Sequence, residues 1–294
     1  MQSPRLKFAL FGNIFQSKKS VHINRVLSYL DSRGVSMCME RMFYDFLLAD
    51  GKIAEGCVEV FDGDEFSADF VISMGGDGTL LRAAGMVRDK NIPIIGINMG
   101  RLGFLADILP DEIETALDDL FAGEYKIEKH SVISIETEGH VLEGVNFALN
   151  DIAVLKRDNA SMISIKTKIN GEDLVTYQAD GLIVSTPTGS TAYSLSNGGP
   201  IIVPETGILC LTPVAPHSLN IRPIVIKDDS KIELSVESRN HNFLIAIDGR
   251  SEKCAEHTRL TIQKAPYMIR IVKRSNHGYF STLREKMMWG ADTR

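Results

Sequence analysis

The stretch that decides the fold is DFVISMGGDGTLLRAA, residues 69–84. Its first residues form an apolar run that is typical of a buried strand. Three glycines then surround Asp77 in the sequence GGDG (75–78), and Thr79 begins an apolar, helix-forming run that we expect to continue to residue 89. The stretch therefore predicts a strand, a turn with an exposed backbone and a helix, which is the repeating unit of an α/β sheet.

Strands and helices alternate on both sides of this stretch. The hydrophobic pattern predicts strands at 6–14, 35–40, 69–74 and 92–98, and helices at 20–34, 79–89 and 110–123. Such alternation is typical of a mostly parallel, doubly wound sheet with helices on its faces. We therefore expect an α/β domain over residues 1–127.

The pattern changes after about residue 125. Short, β-branched and often alternating segments follow one another, separated by turn signals, of which Asn170-Gly171 is the sharpest hairpin signal. We expect a β-rich, sandwich-like domain over 128–294. Its last segment, 280–290, is predicted to be a helix that can pack back on the first domain.

Composition limits the class of protein. The 294 residues carry a net charge of −6, which argues against a general binder of nucleic acid or of anionic membranes. The four cysteines are far apart in the sequence, which is typical of reduced thiols in a cytosolic protein and not of a zinc site or a disulfide framework. No run approaches the ~18 apolar residues of a membrane span. We expect a cytoplasmic protein with no nucleic-acid or membrane partner.

A glycine-rich turn between a strand and a helix is a phosphate site in many α/β proteins, because bare N–H groups and the helix dipole face the anion. The same glycines would also suit a tight turn with no ligand. Asp77 favours a function, because a carboxylate among phosphates is unfavourable unless it holds a metal or accepts a proton from a hydroxyl that attacks phosphorus. The motif is neither a P-loop nor a dinucleotide fingerprint.

Two further stretches carry polar groups at the ends of apolar runs. In YQADGLIVSTPTGSTAYSLSNGGPI (177–201), Asp180 precedes a strand and a turn rich in Thr, Ser and Gly leads to Tyr193. In ALNDIAVLK (148–156), Asn150 and Asp151 are adjacent and could clamp a vicinal diol. When each stretch is taken alone, ordinary turn chemistry is the favoured explanation.

Taken together, the three stretches resemble the NAD kinase family, which transfers phosphate from ATP or polyphosphate to NAD. The family carries Gly-Gly-Asp-Gly-Thr, an Asn-Glu pair and a long motif that matches residues 180–200, and segments 212–225 and 247–250 also look like family segments. The resemblance covers most of the chain in the right order. Diacylglycerol and sphingosine kinases and phosphofructokinases have similar glycine turns, so the long motif makes the resemblance specific.

The resemblance implies transfer of the terminal phosphate of ATP, or of polyphosphate, to the 2′-hydroxyl of the adenosine ribose of NAD. It implies that Asp77 is the general base and that Mg²⁺ or another divalent cation bridges the donor phosphates. The donor phosphates would be held by Gly75, Gly76, Gly78 and Thr79. The choice between donors, and between NAD and NADH, stays open.

The resemblance also implies an NAD site and a homo-oligomer, a dimer or tetramer. The NAD-binding residues would be Asp77, Gly78, Arg82, Asn150, Asp151, Asp180, Thr188, Thr191, Ala192, Tyr193, Ser194 and Ser196. Arg82 could equally form a salt bridge away from the ligand. The chain departs from the family at Asp151, where Glu is common, and at Gln178, where many members have Arg.

Two other functions compete with an NAD kinase. A lipid or sphingoid kinase would share the glycine turn, but it would be expected to have an apolar acceptor channel or an interfacial helix, and the sequence has no convincing one. A non-catalytic NAD(H)-binding regulator would gain little from Asp77. Formation of NADP favours an NAD kinase, and tight NAD binding with no ATP-dependent product would favour the regulator.

Overall fold

The structure, a computed structural model, describes residues 5–14, 20–100, 102–157, 161–275 and 278–290. The strands are β1 (Lys7–Gly12), β2 (Ser36–Glu40), β3 (Glu59–Phe61), β4 (Phe70–Gly75), β5 (Ile94–Asn98), β6 (Tyr125–Glu138), β7 (Phe147–Ala148), β8 (Asp151–Lys156), β9 (Ile163–Ile169), β10 (Glu172–Ala179), β11 (Gly181–Ser185), β12 (Ile208–Val214), β13 (Ile224–Lys227), β14 (Ile232–Glu237), β15 (Asn242–Ile247), β16 (Arg250–Ala255) and β17 (Arg259–Arg274). The α-helices are α1 (Ser20–Ser32), α2 (Arg41–Ala49), α3 (Asp77–Val87), α4 (Ile113–Ala122), α5 (Tyr193–Ser196) and α6 (Tyr279–Met287). Short 3₁₀ turns lie at Arg88–Lys90, Pro110–Glu112 and Thr188–Thr191.

The chain divides into two compact units. The first contains Met1–Glu128 and Ile269–Arg294, and the second contains Lys129–Met268. The end of β17 belongs to the first unit and not to the expected 128–294 domain. The first unit also contains helix α6, the segment that we expected could pack back on the first domain. The cause is strand pairing, since Ile271 of β17 pairs with Ile94 of β5 in parallel.

The first unit is the predicted doubly wound α/β fold. Its parallel strands lie in the order β3-β2-β1-β4-β5, followed by the end of β17. The chain passes outward from β1 to β2 and β3, and then returns to the other side of β1 with β4. Strand order therefore reverses between β1 and β4, and in such sheets ligands bind beyond the carboxyl ends of the strands at this point.

Register places the glycine turn at the reversal point. Gly12, the last residue of β1, pairs with Met74 of β4, and Gly75 pairs with Asn98 at the end of β5. The turn therefore begins at the carboxyl edge of the sheet. The apolar core of the first unit, which includes Phe8, Leu10 and Ile72, holds the strands in place behind the turn.

Helix α3 begins two residues earlier than the expected 79–89, at Asp77, and ends at Val87. An acidic side chain in the first turn of a helix is stabilised by the positive end of the helix dipole. Helix α2 and strand β3 were not predicted from the sequence. Glu40 precedes α2 and makes no side-chain cap, so the usual start signal of a helix is missing there.

The second unit is mainly β, as predicted. One antiparallel sheet has the order β13-β12-β11-β8-β15-β16. A second group pairs β10, β9, β14 and the first part of β17. Side chains from both, including Val154, Leu182, Ile165 and Leu234, form one buried cluster, which is the packing of a sandwich.

The predicted hairpin is present between β9 and β10. Asn170 and Gly171 have φ angles of 52° and 84°, and Ile169 pairs with Glu172 across the turn. Positive φ at both central residues is what Asn-Gly favours. Among the helices of the described ranges, none is long and apolar enough to cross a membrane.

Candidate functional site

The glycine turn connects β4 to α3 within the first unit. Gly75 ends the strand, Gly76 is the N-cap residue with φ −99° and ψ −170°, and Asp77 and Gly78 form the start of the helix. The N–H groups in the first turn of a helix have no acceptor within that helix. Thr79 is an exception here, because its N–H donates to the Gly76 carbonyl oxygen at 3.0 Å.

Packing within the protein accounts for only one glycine of this turn. A Cβ atom added at Gly75 would lie 2.2 Å from Thr79 Oγ1. At Gly76 and Gly78 an added Cβ would meet nothing within 4 Å, and neither residue has a positive φ. The fold itself therefore tolerates a side chain at both positions, and the glycines leave open space beside the N–H groups of α3.

Asp77 is held by a second loop, residues 103–106. Its Oδ2 accepts from the Phe104 N–H at 3.0 Å, and its Oδ1 accepts from the Leu105 and Ala106 N–H groups at 3.1 and 3.0 Å. Gly103 allows this approach, because a Cβ there would lie 2.1 Å from Asp77 Oδ1. Three N–H donors therefore fix the orientation of the carboxylate.

Lys286 of α6 adds a positive charge to this site. Its Nζ lies 3.6 Å from Asp77 Oδ2 and 4.8 Å from the centre of the Phe104 ring. Its side chain is about one-third exposed, at 32%. The ammonium can therefore balance charge at Asp77 and still reach solvent.

Arg82 has partners within the protein. Its guanidinium donates to Glu40 Oε1 at 2.8 Å and to the Gly12 carbonyl oxygen at 2.6 Å. Burial raises the pKa of Glu40, and the charge of Arg82 opposes that rise. Arg82 could contact the ligand or form a salt bridge away from it, and in the structure it forms a salt bridge with the buried Glu40.

In the second unit, Asn150 lies in the bend before β8 and Asp151 begins that strand, and Asp248 binds both residues. The Asp248 carboxylate accepts from the N–H groups of Leu149, Asn150 and Asp151 at 2.8, 2.8 and 3.1 Å. Burial raises the pKa of Asp248, while these three hydrogen bonds and Arg250 lower it. Burial and the neighbouring Asp248 raise the pKa of Asp151 to about 7.

The turn rich in Thr, Ser and Gly packs against this element. The Thr186 N–H donates to the Asn150 carbonyl oxygen at 2.9 Å, and a Cβ at Gly189 would lie 2.0 Å from the same oxygen. Gly189 is therefore required by a close backbone contact. The contact brings Asn150 beside the 188–196 segment, so two of the predicted stretches meet in the second unit.

Hydrogen bonds within the protein use most of the hydroxyls of that segment. Thr188 Oγ1 lies 2.8 Å from His130 Nδ1, and Ser194 Oγ lies 2.8 Å from Thr212 Oγ1. Ser194 has no exposed surface, which does not fit the predicted direct contact with a dinucleotide. The hydroxyls of Thr191 and Ser196 donate to the carbonyl oxygens of Thr188 and Tyr193.

Tyr193 and Ser196 are the exposed residues of the segment, and Ala192 is half-buried. Tyr193 is 40% exposed, which leaves the face of its ring available to a ligand. Asp180 forms an ion pair with Lys156 at 2.8 Å. Both residues line an open cavity of about 690 Å³ together with Gln178.

Several residues of these sites were not predicted. Asp248 lies in IDGR, a segment whose resemblance to the family implies no role for this carboxylate. The 103–106 loop follows the buried strand β5, and Gly103 is the local signal that marks it. Lys286 carries no local signal, because only the packing of α6 brings it to Asp77. Within the described part of the chain, no three His, Cys, Asp or Glu side chains cluster as a metal site.

Comparison with known families gives two matches along the chain. Residues 18–125 match the ATP-NAD kinase N-terminal domain, and residues 149–274 match the ATP-NAD kinase C-terminal domain. These ranges contain the glycine turn and the Asn150, Asp180 and Tyr193 stretches respectively.

Similar proteins match over nearly the whole chain. An NAD kinase from Bacteroides fragilis is 57% identical over 289 residues, covering 98% of this chain and 100% of the relative, and one from Cytophaga hutchinsonii is 40% identical, covering 98% and 99%. Yeast NADH kinase complexed with NADH has a TM-score of 0.87 at 21% identity, covering 100% of this chain and 90% of that one. An NAD kinase from Archaeoglobus fulgidus in complex with ATP has a TM-score of 0.76 at 28% identity, covering 96% and 99%.

Proposed function

Because the chain belongs to the NAD kinase family, and is thus an enzyme that phosphorylates NAD to NADP, we propose that ATP is the donor and Asp77 the general base. In the proposed step the 2′-oxygen of the adenosine ribose forms a bond to the terminal phosphorus of ATP. The bond between that phosphorus and the bridging oxygen breaks, ADP leaves, and the hydroxyl proton passes to the Asp77 carboxylate. The products are NADP and ADP.

The observation that carries this proposal is the environment of Asp77. The carboxylate lies between two glycines whose missing side chains leave open space, Gly76 and Gly78, and three N–H donors fix its orientation. A ribose hydroxyl is a poor nucleophile at neutral pH, and a positioned base contributes about 10²–10⁴-fold to such a step. A carboxylate whose orientation is already fixed needs little rearrangement to accept the proton.

We infer that the donor phosphates bind at the start of α3. Open N–H groups and the positive end of the helix dipole favour an anion there. The archaeal NAD kinase that this chain resembles at 28% identity was crystallised in complex with ATP, which supports ATP as donor. Gly75 and Thr79 would shape the turn, because the Thr79 side chain lies directly against Gly75.

A divalent cation fits this arrangement if the donor supplies most of its ligands. The described residues contain no cluster of three or more His, Cys, Asp or Glu side chains, and both Asp77 oxygens already accept N–H groups. Phosphate oxygens of ATP would therefore hold Mg²⁺, with Asp77 as the nearby carboxylate. When bound, the ion neutralises charge on the transferred phosphoryl group.

We infer that the second unit contributes to NAD binding through Asn150, Asp151 and Tyr193. Asp248 fixes the N–H groups of the turn that contains Asn150 and Asp151. An exposed aromatic ring such as Tyr193 offers a flat apolar surface to a base. Asp180 can bind a polar group once it exchanges its ion pair with Lys156.

The competing functions are a lipid kinase and a regulator that binds NAD(H) without catalysis. The two bacterial relatives are NAD kinases, and this chain matches them over nearly their whole length. No feature of the described residues favours either alternative. Assembly as a homo-oligomer stays a prediction.

The test is NADP formation by the purified protein from NAD, Mg²⁺ and either ATP or polyphosphate. We expect Asp77→Asn to lower kcat by about 10²–10⁴-fold while the dissociation constant for NAD, measured by calorimetry, changes little. Asp69→Asn is the matched control. Asp69 flanks the other end of β4 and its carboxylate also accepts a backbone N–H, from Lys7 at 2.7 Å.

The outcomes separate the parts of the proposal. An Asp77→Asn variant with wild-type kcat would exclude the general-base role. A loss in Asp69→Asn equal to that in Asp77→Asn would point to a general effect on the fold. NADP made from polyphosphate but not from ATP would exclude ATP as the donor.

A further inference from the structure

Lys273, near the end of β17, is a buried lysine with three oxygen partners. Its Nζ donates to the carbonyl oxygens of Phe104 and Leu105, both at 3.2 Å, and pairs with Asp107 Oδ2 at 2.8 Å. The lysine and aspartate side chains are only 11% and 9% exposed. The ammonium is therefore held in one place by the loop that holds Asp77.

The two carbonyl groups that Lys273 binds belong to the peptide units that bind Asp77. The Phe104 carbonyl shares its peptide unit with the Leu105 N–H, and the Leu105 carbonyl shares its unit with the Ala106 N–H. Both N–H groups donate to Asp77 Oδ1, at 3.1 and 3.0 Å. Each planar peptide unit thus has the ammonium at its oxygen and the carboxylate at its nitrogen.

This arrangement acts on Asp77 in two ways. A planar peptide bound at both ends cannot rotate, so the two N–H groups stay directed at the carboxylate. Hydrogen bonds in a chain polarise one another, so the positive charge at each carbonyl oxygen strengthens the N–H donor at the other end. Lys286 lies 3.6 Å from the carboxylate itself, whereas Lys273 acts through the backbone.

We propose that Lys273 is a positioning residue for phosphoryl transfer, which holds the 104–105 and 105–106 peptide units so that they fix the Asp77 carboxylate. The proposal rests on the proposed role of Asp77 as general base. It assigns to the end of β17 a function in the reaction, although Lys273 itself contacts neither substrate.

The experiment compares Lys273→Met with two other variants. Asp107→Asn removes the negative partner and leaves the ammonium its two carbonyl acceptors. Lys264→Met is the control, because Lys264 lies in the second unit and its ammonium pairs with Asp228 there, at 2.6 Å. For each variant we would measure kcat, KM for NAD, KM for ATP and the melting temperature.

We expect Lys273→Met to lower kcat by about 10-fold or more, because charge-assisted hydrogen bonds to both peptide units are lost, with KM for NAD changed by less than about threefold. Lys264→Met should leave kcat within about threefold of wild type, whatever its effect on the melting temperature. Asp107→Asn leaves the ammonium both carbonyl acceptors, so its kcat should fall less than that of Lys273→Met, and a larger fall in Asp107→Asn would overturn the proposal. Wild-type kcat in Lys273→Met, with only a lower melting temperature, would overturn the proposal.

Two further measurements keep the test decisive. If Lys273→Met does not fold, Lys273→Gln replaces it, since its amide can still donate to one carbonyl, and a kcat within about twofold of wild type would overturn the proposal. Single-turnover rates in an Asp77→Asn background should not fall further on adding Lys273→Met, because Lys273 acts through Asp77. An equal further loss in that background would overturn the path through Asp77.

The proposed function and this inference fail in different ways. If Asp77→Asn alone has wild-type turnover, the general-base role is wrong whatever Lys273 does. If Asp77→Asn loses turnover and Lys273→Met does not, the base stands and the positioning role is wrong.

Discussion

Gly78→Ala separates a phosphate site from a tight turn. Gly78 lies in the first turn of α3, an added Cβ would meet nothing within 4 Å, and its φ is not positive. Alanine therefore fits the backbone and the packing. If the glycine is there for the fold, the substitution should cost stability, and if it is there for a ligand, the substitution should cost only activity.

The expected change in stability follows from helix propensity. Replacing glycine by alanine in a helix stabilises it by about 0.5–1 kcal/mol, because the unfolded chain loses conformational freedom. For a chain of this size, 1 kcal/mol corresponds to a rise of about 2–4 °C in melting temperature. We therefore expect Gly78→Ala to melt no lower than wild type, and up to a few degrees higher.

The expected change in activity has the opposite sign. The new methyl group occupies the open space beside the N–H groups of α3, where we propose that the donor phosphates bind. Loss of one preorganised donor to a reacting oxyanion typically costs about 10²-fold or more in rate. We expect kcat/KM for ATP to fall by at least about 10-fold, while the dissociation constant for NAD changes little.

Gly85→Ala is the matched control, because Gly85 lies in the same helix and an added Cβ there also meets nothing within 4 Å. Both variants would be assayed by thermal unfolding and by initial rates of NADP formation at varied ATP. Gly85→Ala should gain similar stability with unchanged rates. If Gly78→Ala also keeps wild-type rates, the open space is not used by the donor and our reasoning from it is refuted.

Three further predictions concern charged groups. Burial raises the pKa of Asp151 to about 7 in the folded state, against an ordinary value of 3.8, so the stability from this group is fully present below about pH 4 and is lost as the pH rises through 7. Asp151→Asn should therefore melt at a higher temperature than wild type at pH 8 and at the same temperature at pH 4. Equal melting temperatures at both pH values would contradict the burial argument. Asp248→Asn leaves the Leu149 N–H facing an amide donor and should cost about 1–3 kcal/mol in urea unfolding together with weaker NAD binding, whereas unchanged unfolding would show that the carboxylate is not needed. Lys286→Met should lower kcat/KM for ATP by about 5-fold or more, and less at high salt because a partly exposed charge is screened; salt-independent kinetics would exclude the electrostatic role.

The parts of the fold with strong local signals were predictable from the sequence. The β4–α3 unit combines a buried strand, glycines and a helix-forming run within about 20 residues, and the Asn170-Gly171 hairpin needs only its own two residues. Helix α2 was missed because its apolar residues, which include Phe43 and Leu47, follow a strand directly with no cap to mark the boundary. Boundaries without such chemistry are decided by packing and not by local sequence.

The candidate site was predictable only where its residues are close in sequence. Asp77 was identified because glycines flank it. The loop at 104–106 that binds Asp77 lies about 30 residues away in the sequence, and Lys273, which binds that loop, lies about 200 residues away. These segments meet only because β4, β5 and the end of β17 are neighbours in one parallel sheet. The carboxyl ends of parallel neighbours lie along one edge, so the sheet order creates contacts that no short motif reports.

The sheet order also explains how a charged Asp77 could be kept at the proposed phosphate site. A carboxylate repels the triphosphate that we propose binds at the glycine turn, and a site evolved only for binding would be improved by removing that carboxylate. The first unit instead surrounds the carboxylate with three N–H groups, one adjacent ammonium from Lys286 and a second, Lys273, acting through two peptide units. The N–H groups come from the loop after β5, and the two lysines come from β17 and α6. These elements stabilise the Asp77 carboxylate, and phosphate binding alone would not require them. The expected consequence is a role for that charge in the reaction itself.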